Sequence, residues 1–358
     1  MSEDSFSATF AALTTATEQD QTMVRNTITL SSSRRAFFYY QYMVLVIGIV
    51  GTAANALILY AMVASKEHKK QLLIFNQNVF DLCSCLLLVI TYTVRVCNIY
   101  LTGTLGYWLC MLITSENLLW GSITGSTINL MIVTIERYIK VVHSSWSKKL
   151  LHEWVKCAAA AFAWISGTVY MMVLVFPTSA VIDGVCIAYL IWKSKMAALI
   201  HGIWSFTSFY IIVIFIFVYC YGKILVVICH QARVMAVHSG PGGSTSQHTQ
   251  SGHIQSNVIK TMIFVSGFYV ILWTPLHIYY LVLQININLV TGDIAYYVGL
   301  LLVFLYISAN PFIYAVKFNP VRHVLVGLIP WKRSQQAGES IQMPTPGTAT
   351  ARTTTQHN

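Results

Sequence analysis

Acidic residues are scarce in this chain. Only 12 of its 358 residues are Asp or Glu, and none occurs between Asp183 and Asp293. Charged residues of both signs make up 9% of the sequence and hydrophobic residues 56%, whereas soluble domains carry roughly 25% charge. So few charges cannot cover a globule of this length with hydrated surface, which excludes a large water-soluble enzyme. The formal charge of +10 does not point to nucleic acid. The basic residues sit in short clusters between apolar runs, the pattern that sets membrane orientation. No Asn-x-Ser/Thr sequon occurs, and the 8 cysteines show no metal-ligand spacing. The Ser/Thr-rich residues 1–35 lack the apolar core of a signal peptide, so the first apolar run is expected to direct insertion. The stretch after Trp331 has no cysteine, which removes a palmitoyl anchor there.

Long apolar runs are what the chain has instead. Seven are close to or above the length of about 20 residues that crosses a bilayer, at 38–64, 72–100, 108–141, 154–177, 197–230, 257–284 and 294–316. In lipid, such runs satisfy their own amides as helices. The expected fold is an all-α membrane protein, a seven-transmembrane helix bundle. Aromatics crowd the ends of several spans, as in AFFYYQY at 36–42 and HIYYL at 277–281, either as interface belts or as pocket lining. With the N-terminus outside, sixteen lysines and arginines fall inside and six outside, so the C-terminus is expected in the cytoplasm. The domain plan follows. Residues 1–35 form a disordered extracellular N-terminus and 36–330 the helical bundle. The amphipathic stretch 319–329 lies on the inner face as a short helix, and 331–358 form a disordered cytoplasmic tail. The inner segment HSGPGGSTSQHTQSGH (238–253) reads as flexible.

A transporter would favour paired repeats, broken helices and several midplane charges. Here the number of spans is odd, no repeat is visible and only Asp81 lies deep in an apolar run. A membrane enzyme would need His, Asp or Cys clustered near one face, and none is seen. What does recur is one short motif per span, in order: GTAAN ending at Asn55; NQNVFDL with Asp81; Ser126 and then Glu136-Arg137-Tyr138; Trp164; CYGKI with Tyr221; LWTP with Trp273 and Pro275; NPFIY with Asn310, Pro311 and Tyr314. On these residues, 38–330 resembles a rhodopsin-like (class A) G-protein-coupled receptor, similar to orphan invertebrate branches of that family.

The resemblance implies a receptor in the plasma membrane, not an enzyme. An extracellular ligand, a peptide or a small molecule, would shift the bundle and activate a heterotrimeric G protein inside. A membrane transporter or channel, or a receptor fold that no longer couples, is the alternative. Pro275 and Pro311 would kink their helices, with Trp273 at the pocket floor. Arg137 is always charged and needs a partner. The resemblance gives it Glu136 at rest and Tyr221 and Tyr314 after span six swings. No acid stands at the inner end of span six to hold it further, so a weak latch and ligand-free signalling are expected. Asp81, Ser126 and Asn310 match an allosteric sodium site, although Tyr306 stands where relatives often have Asn; Asp81 could equally be a packing polar group. Cys110 and Cys186 match the family disulfide, with Cys97 a competitor. Cys110 lies 27 residues before Arg137, about two more than is usual in the family, which a distortion must absorb. Span five has Val213 at the family's usual proline, so a straighter helix is expected. The remaining thiols, Cys83, Cys85, Cys157, Cys220 and Cys229, read as buried.

The implied ligand pocket is drawn from Tyr92, Arg95, Glu116, Leu119, His201, Ser205, Trp273, His277, Tyr280 and Tyr297. Leu119 replaces the aspartate of amine receptors. Phe304 replaces the retinal-binding lysine of opsins, so no retinal is expected. Arg95 and Glu116 either face charged ligand groups, as of a peptide, or pair with each other. His277 either touches ligand or only packs. Ser244, Thr245, Ser246, Thr249 and Thr353 to Thr355 could carry the phosphates by which a receptor kinase recruits arrestin.

Overall fold

The apolar runs form helices in a computed structural model that describes residues 35–327 apart from 98, 190, 239–245, 286–293 and 318. Seven helices are long and apolar enough to cross a membrane, and they are numbered as spans one to seven: Arg35–Ala64, Leu72–Val96, Gly103–Val142, Glu153–Thr178, Lys195–Gln231, Ile259–Leu283 and Ile294–Val316. Their outward faces carry large apolar residues such as Val46, Phe162, Phe215 and Ile271, as lipid-facing surface requires. Apart from Arg35, which opens span one, the N-terminus expected as disordered lies outside the described residues, as does the tail from 331 with Thr353 to Thr355. Ser244 and Thr245 also lie outside them.

Span three is the axis of the bundle and packs against spans two, four and five. Spans three and four approach at glycine. A Cβ on Gly167 would meet the Gly121 carbonyl and the Gly125 nitrogen, each at 2.5 Å. Beside that crossing Phe80 of span two stacks on Trp164 of span four with centroids 3.8 Å apart. Asn55 ties span one to span seven, donating to the carbonyls of Gly51 at 2.9 Å and Ile307 at 3.3 Å.

On one end of the bundle two short strands, β1 (Ala180–Ile182) and β2 (Val185–Ile187), pair antiparallel with Val181 opposite Cys186. They are joined by Asp183 and Gly184, at φ 49° and 73°. An Asp-Gly pair takes such positive angles readily in a two-residue hairpin turn. The Gly184 carbonyl accepts from the Leu101 amide at 2.9 Å, tying this hairpin to the segment before span three.

Several expectations need correction. Span six belongs to a helix of 40 residues, Ser246–Ile285, so half of the segment read as flexible is helical; a packed span supplies the nucleus, and each added residue then adds a hydrogen bond. The short helix expected after span seven is present as Asn319–Gly327; residues 328–329 lie outside the described residues. Cys85 and Cys220 are buried and Cys83 half-buried, but Cys157 and Cys229 are exposed, because they sit on the lipid or inner faces of their helices.

Candidate functional site

The outer layer is organised by a break in span three. Gly103–Leu109 is α-helical, Cys110–Thr114 makes one π turn, and Glu116 is left-handed at φ 61° before Asn117–Val142 resumes. This is the distortion that the long Cys110–Arg137 spacing required. Cys110 is bonded to Cys186 on β2, with Cα atoms 5.3 Å apart, and Cys97 is free and exposed.

Glu116 is 7% exposed, and both of its oxygens are used. One accepts from Arg95 at 2.5 Å and the other from Trp120 Nε1 at 2.7 Å. Arg95 also donates to the Thr114 carbonyl at 2.7 Å and lies 5.2 Å from the Tyr92 ring centroid. Of the two readings left open for Arg95 and Glu116, the structure has the pair. Trp120 was not anticipated, although it follows Glu116 by four residues and so shares its helix face. Its ring lies 6.5 Å from Trp273 and 5.9 Å from Phe304, which links the ion pair to the pocket floor. Tyr189, in the loop after β2, donates to the Ser115 carbonyl at 2.8 Å. Burial, and then the nearby Glu116 charge, push its phenol well above the ordinary value, so it stays a donor.

The other pocket candidates fall into groups. Tyr92 shares a hydrogen bond of 2.7 Å with Tyr40, on which Tyr297 packs at 4.7 Å. Tyr280 reaches Tyr296 at 3.3 Å. His201 lies 3.0 Å from the Tyr170 hydroxyl, with half-buried Ser205 one turn further along span five. His277 donates from Nδ1 to the Trp273 carbonyl at 3.1 Å and stacks on Tyr210 at 4.8 Å. Leu119 is fully buried in the core.

Span five keeps a bulge without a proline. A π turn covers Thr207–Ile211. The Phe209 carbonyl in it accepts from the Tyr269 hydroxyl of span six at 2.6 Å. Tyr210 meets Thr274 at 2.6 Å. The expected straighter helix is therefore corrected: side chains of span six secure the irregular turn.

The middle layer is a chain of directed hydrogen bonds. Trp164 donates to Asn76 at 3.1 Å, Asn76 to Asn129 at 2.9 Å, Asn129 to Gln77 at 2.8 Å and Gln77 to Ser126 at 2.5 Å. Ser126 then donates to one Asp81 oxygen at 3.2 Å, and Asn310 to the other at 2.8 Å. Donors thus converge on Asp81 from spans three and seven. The Asn310 Oδ1 and the Tyr306 hydroxyl are buried with no hydrogen-bond partner. Asn76, Gln77 and Asn129 were missed in the sequence, where an amide inside an apolar run is the only signal.

The inner layer holds the charged triplet. Glu136 and Arg137 are 4% and 5% exposed. Glu136 accepts from Lys140 at 2.6 Å and stands 3.3 Å from Arg137. Arg137 donates to Gln71, at the start of span two. Tyr138 reaches His143 at 3.2 Å. The Tyr221 hydroxyl lies 3.1 Å from Thr134 and accepts from Ser266 at 3.2 Å. The Tyr314 hydroxyl and Arg137 Nε are buried without a hydrogen-bond partner.

The sequence family described as "7 transmembrane receptor (rhodopsin family)" matches residues 54–314. The chain belongs to the rhodopsin family of seven-transmembrane receptors. The receptor's fold is also similar to the crystal structure of squid rhodopsin, with a TM-score of 0.67 at 16% identity over 87% of this chain and 93% of that one. At that identity the likeness concerns the fold alone. No curated protein sequence matched the receptor. Family membership makes it a multi-pass membrane receptor and not an enzyme, and implies G-protein coupling in general terms.

Proposed function

We propose that the receptor sits in the plasma membrane with its N-terminus outside and exchanges nucleotide on a heterotrimeric G protein when an extracellular ligand, a peptide or a small molecule, enters the outer half of the bundle. The observation that carries this is a run of contacts from the outer layer to spans five and six. Glu116 holds Trp120, Trp120 lies on Trp273, Trp273 packs on Tyr269 at 5.2 Å, and Tyr269 is bonded to span five. A ligand that repacks the outer aromatics therefore acts on spans five and six together. At the inner end, Arg137, Tyr221 and Tyr314 would form the G-protein face once span six moves, with Pro275 and Pro311 as the kinks that let the inner halves pivot.

Asp81, Ser126 and Asn310 fit an allosteric sodium ion. The test is the buried Asn310 Oδ1 and Tyr306 hydroxyl, which lack partners, since a hard cation takes oxygens of that kind. Bound there, the ion would supply a positive charge that offsets the buried carboxylate. Recruitment of a receptor kinase and arrestin belongs to the same reading and rests on the Ser and Thr residues around 244–249 and 353–355.

The test is a panel of G-protein sensors in cells, comparing wild type with Arg137→Ala at matched surface expression. Ligand-free signal above Arg137→Ala on at least one sensor supports coupling and names the G protein. Equality on every sensor, with and without a peptide screen, refutes it.

A further inference from the structure

The receptor lacks an acid in span six that could hold Arg137, yet span six is tied to spans five and three at the inner face by side chains that carry no charge. Their directions are fixed by counting protons. The Thr134 hydroxyl has one proton and donates it to the Leu130 carbonyl at 2.9 Å. It must therefore accept from Tyr221, 3.1 Å away. The Tyr221 proton is thereby used, so its oxygen accepts from Ser266 at 3.2 Å. The order is Ser266 on span six, Tyr221 on span five, Thr134 on span three. All three are buried, at 2%, 6% and 0% exposure, so water does not compete for these bonds.

Arg137 has a second partner besides Glu136. Glu136 gives its shorter contact to Lys140, at 2.6 Å against 3.3 Å to Arg137. The guanidinium also donates to the neutral Gln71 at the start of span two. That bond points Arg137 away from span six.

We propose that this receptor is latched at rest by two contacts to uncharged side chains in place of an acid on span six: Ser266–Tyr221–Thr134, which ties span six to spans five and three, and Arg137–Gln71, which parks the arginine beside the start of span two. Thr134, Ser266 and Gln71 are positioning residues. This arrangement leaves the Tyr314 hydroxyl, Arg137 Nε and Glu136 Oε2 buried without hydrogen-bond partners, which costs stability. Two such contacts set against these orphaned groups make a shallow latch, from which ligand-free signalling is expected. The proposal rests on the receptor reading only in requiring that span six can swing outward.

The experiment reads span six directly, with no ligand. Purified receptor in lipid nanodiscs carries nitroxides at Lys149 and Lys260, both exposed, with Cys97, Cys157 and Cys229 changed to Ser. Pulsed electron resonance then gives the inward and outward populations. Ser266→Ala and Gln71→Ala should each raise the outward-to-inward ratio about five-fold, the population worth of one hydrogen bond. Ser266→Thr, which keeps the hydroxyl, should return the wild-type ratio. Gln71→Glu should lower it, because a carboxylate grips Arg137 harder. A merely structural role would not move the two Gln71 variants in opposite directions. Distributions for Ser266→Ala and Gln71→Ala that match wild type overturn the latch. Adding a mixture of nucleotide-free G proteins separates the two readings. If it moves span six in wild type while the variants stay unchanged, only the latch falls. If it moves nothing, the receptor reading falls and takes the latch with it.

Discussion

The Tyr269 hydroxyl of span six donates to the Phe209 carbonyl of span five across 2.6 Å. That carbonyl sits in the π turn, where the ordinary helical register is interrupted. The bond thus does for span five what a proline-made bulge does in relatives. Tyr269→Phe keeps the ring, which stacks on Trp273, and removes only the hydroxyl. It takes one donor from a half-buried carbonyl, which costs about 0.5–1.5 kcal/mol, the net worth of a typical hydrogen bond. The expected outcome is a lower unfolding midpoint of the purified receptor, read by thiol-reactive dye or intrinsic fluorescence. An unchanged midpoint would mean that the bulge holds without Tyr269.

Glu116 is buried and Arg95 half-buried, and each has a further bond that depends on the other staying put. Removing Arg95 leaves Glu116 as an uncompensated buried charge, which in a fully buried pair costs about 3–5 kcal/mol; removing Glu116 costs less, because the half-buried Arg95 reaches water. Arg95→Ala and Glu116→Ala should each destabilise the receptor. The double variant should be no worse than Arg95→Ala alone, since it leaves no orphaned charge. A thermal double-mutant cycle measures this. Additive losses would show two independent residues.

Much of this arrangement was legible in the sequence, and the limits have physical causes. Run length fixes the spans, and one motif per span fixes the register of Asp81, Arg137 and Tyr314 within them. The disulfide was implied by family resemblance, and so was the distortion beside Cys110, which lies about two residues further from Arg137 than is usual in the family. Partner choice was harder. Arg95 and Glu116 could have met ligand or each other, because sequence gives helix faces and not the distance between faces. Gln71, Gln77 and Asn129 were overlooked for a related reason. An amide has no charge to flag it, and its role is set by which neighbour's lone pair it meets. The span-five bulge contradicted a straightforward reading of Val213, because the determinant lies on another helix, at Tyr269.

Gly167 is a close-approach position. A methyl group there would overlap the Gly121 carbonyl and the Gly125 backbone, which are main chain and cannot rotate aside. Gly167→Ala should force spans three and four apart and disturb the Phe80–Trp164 stack. Overpacking of this kind costs about 1–3 kcal/mol. Gly222, where a Cβ would meet nothing within 4 Å, is the control. Gly222→Ala should leave the midpoint unchanged, and equal losses at both sites would argue against the crossing.

Asp81 receives hydrogen bonds from two directions but no positively charged group among the described residues pairs with it. A buried carboxylate in lipid is costly unless something offsets its charge. If sodium does so, the purified receptor should unfold at a higher temperature in sodium chloride than in potassium chloride at equal ionic strength. At a salt concentration one hundred times the dissociation constant, the linkage gain is about 2.7 kcal/mol. Asp81→Asn removes the charge and should abolish the difference between the two salts. Ser126→Ala should reduce it by removing one oxygen. Tyr306→Asn, which restores the amide common in relatives, should enlarge it. Identical midpoints in the two salts for wild type would leave Asp81 as a hydrogen-bonded packing group. The chain running from Trp164 to Ser126 would then serve to hold that packing in one arrangement.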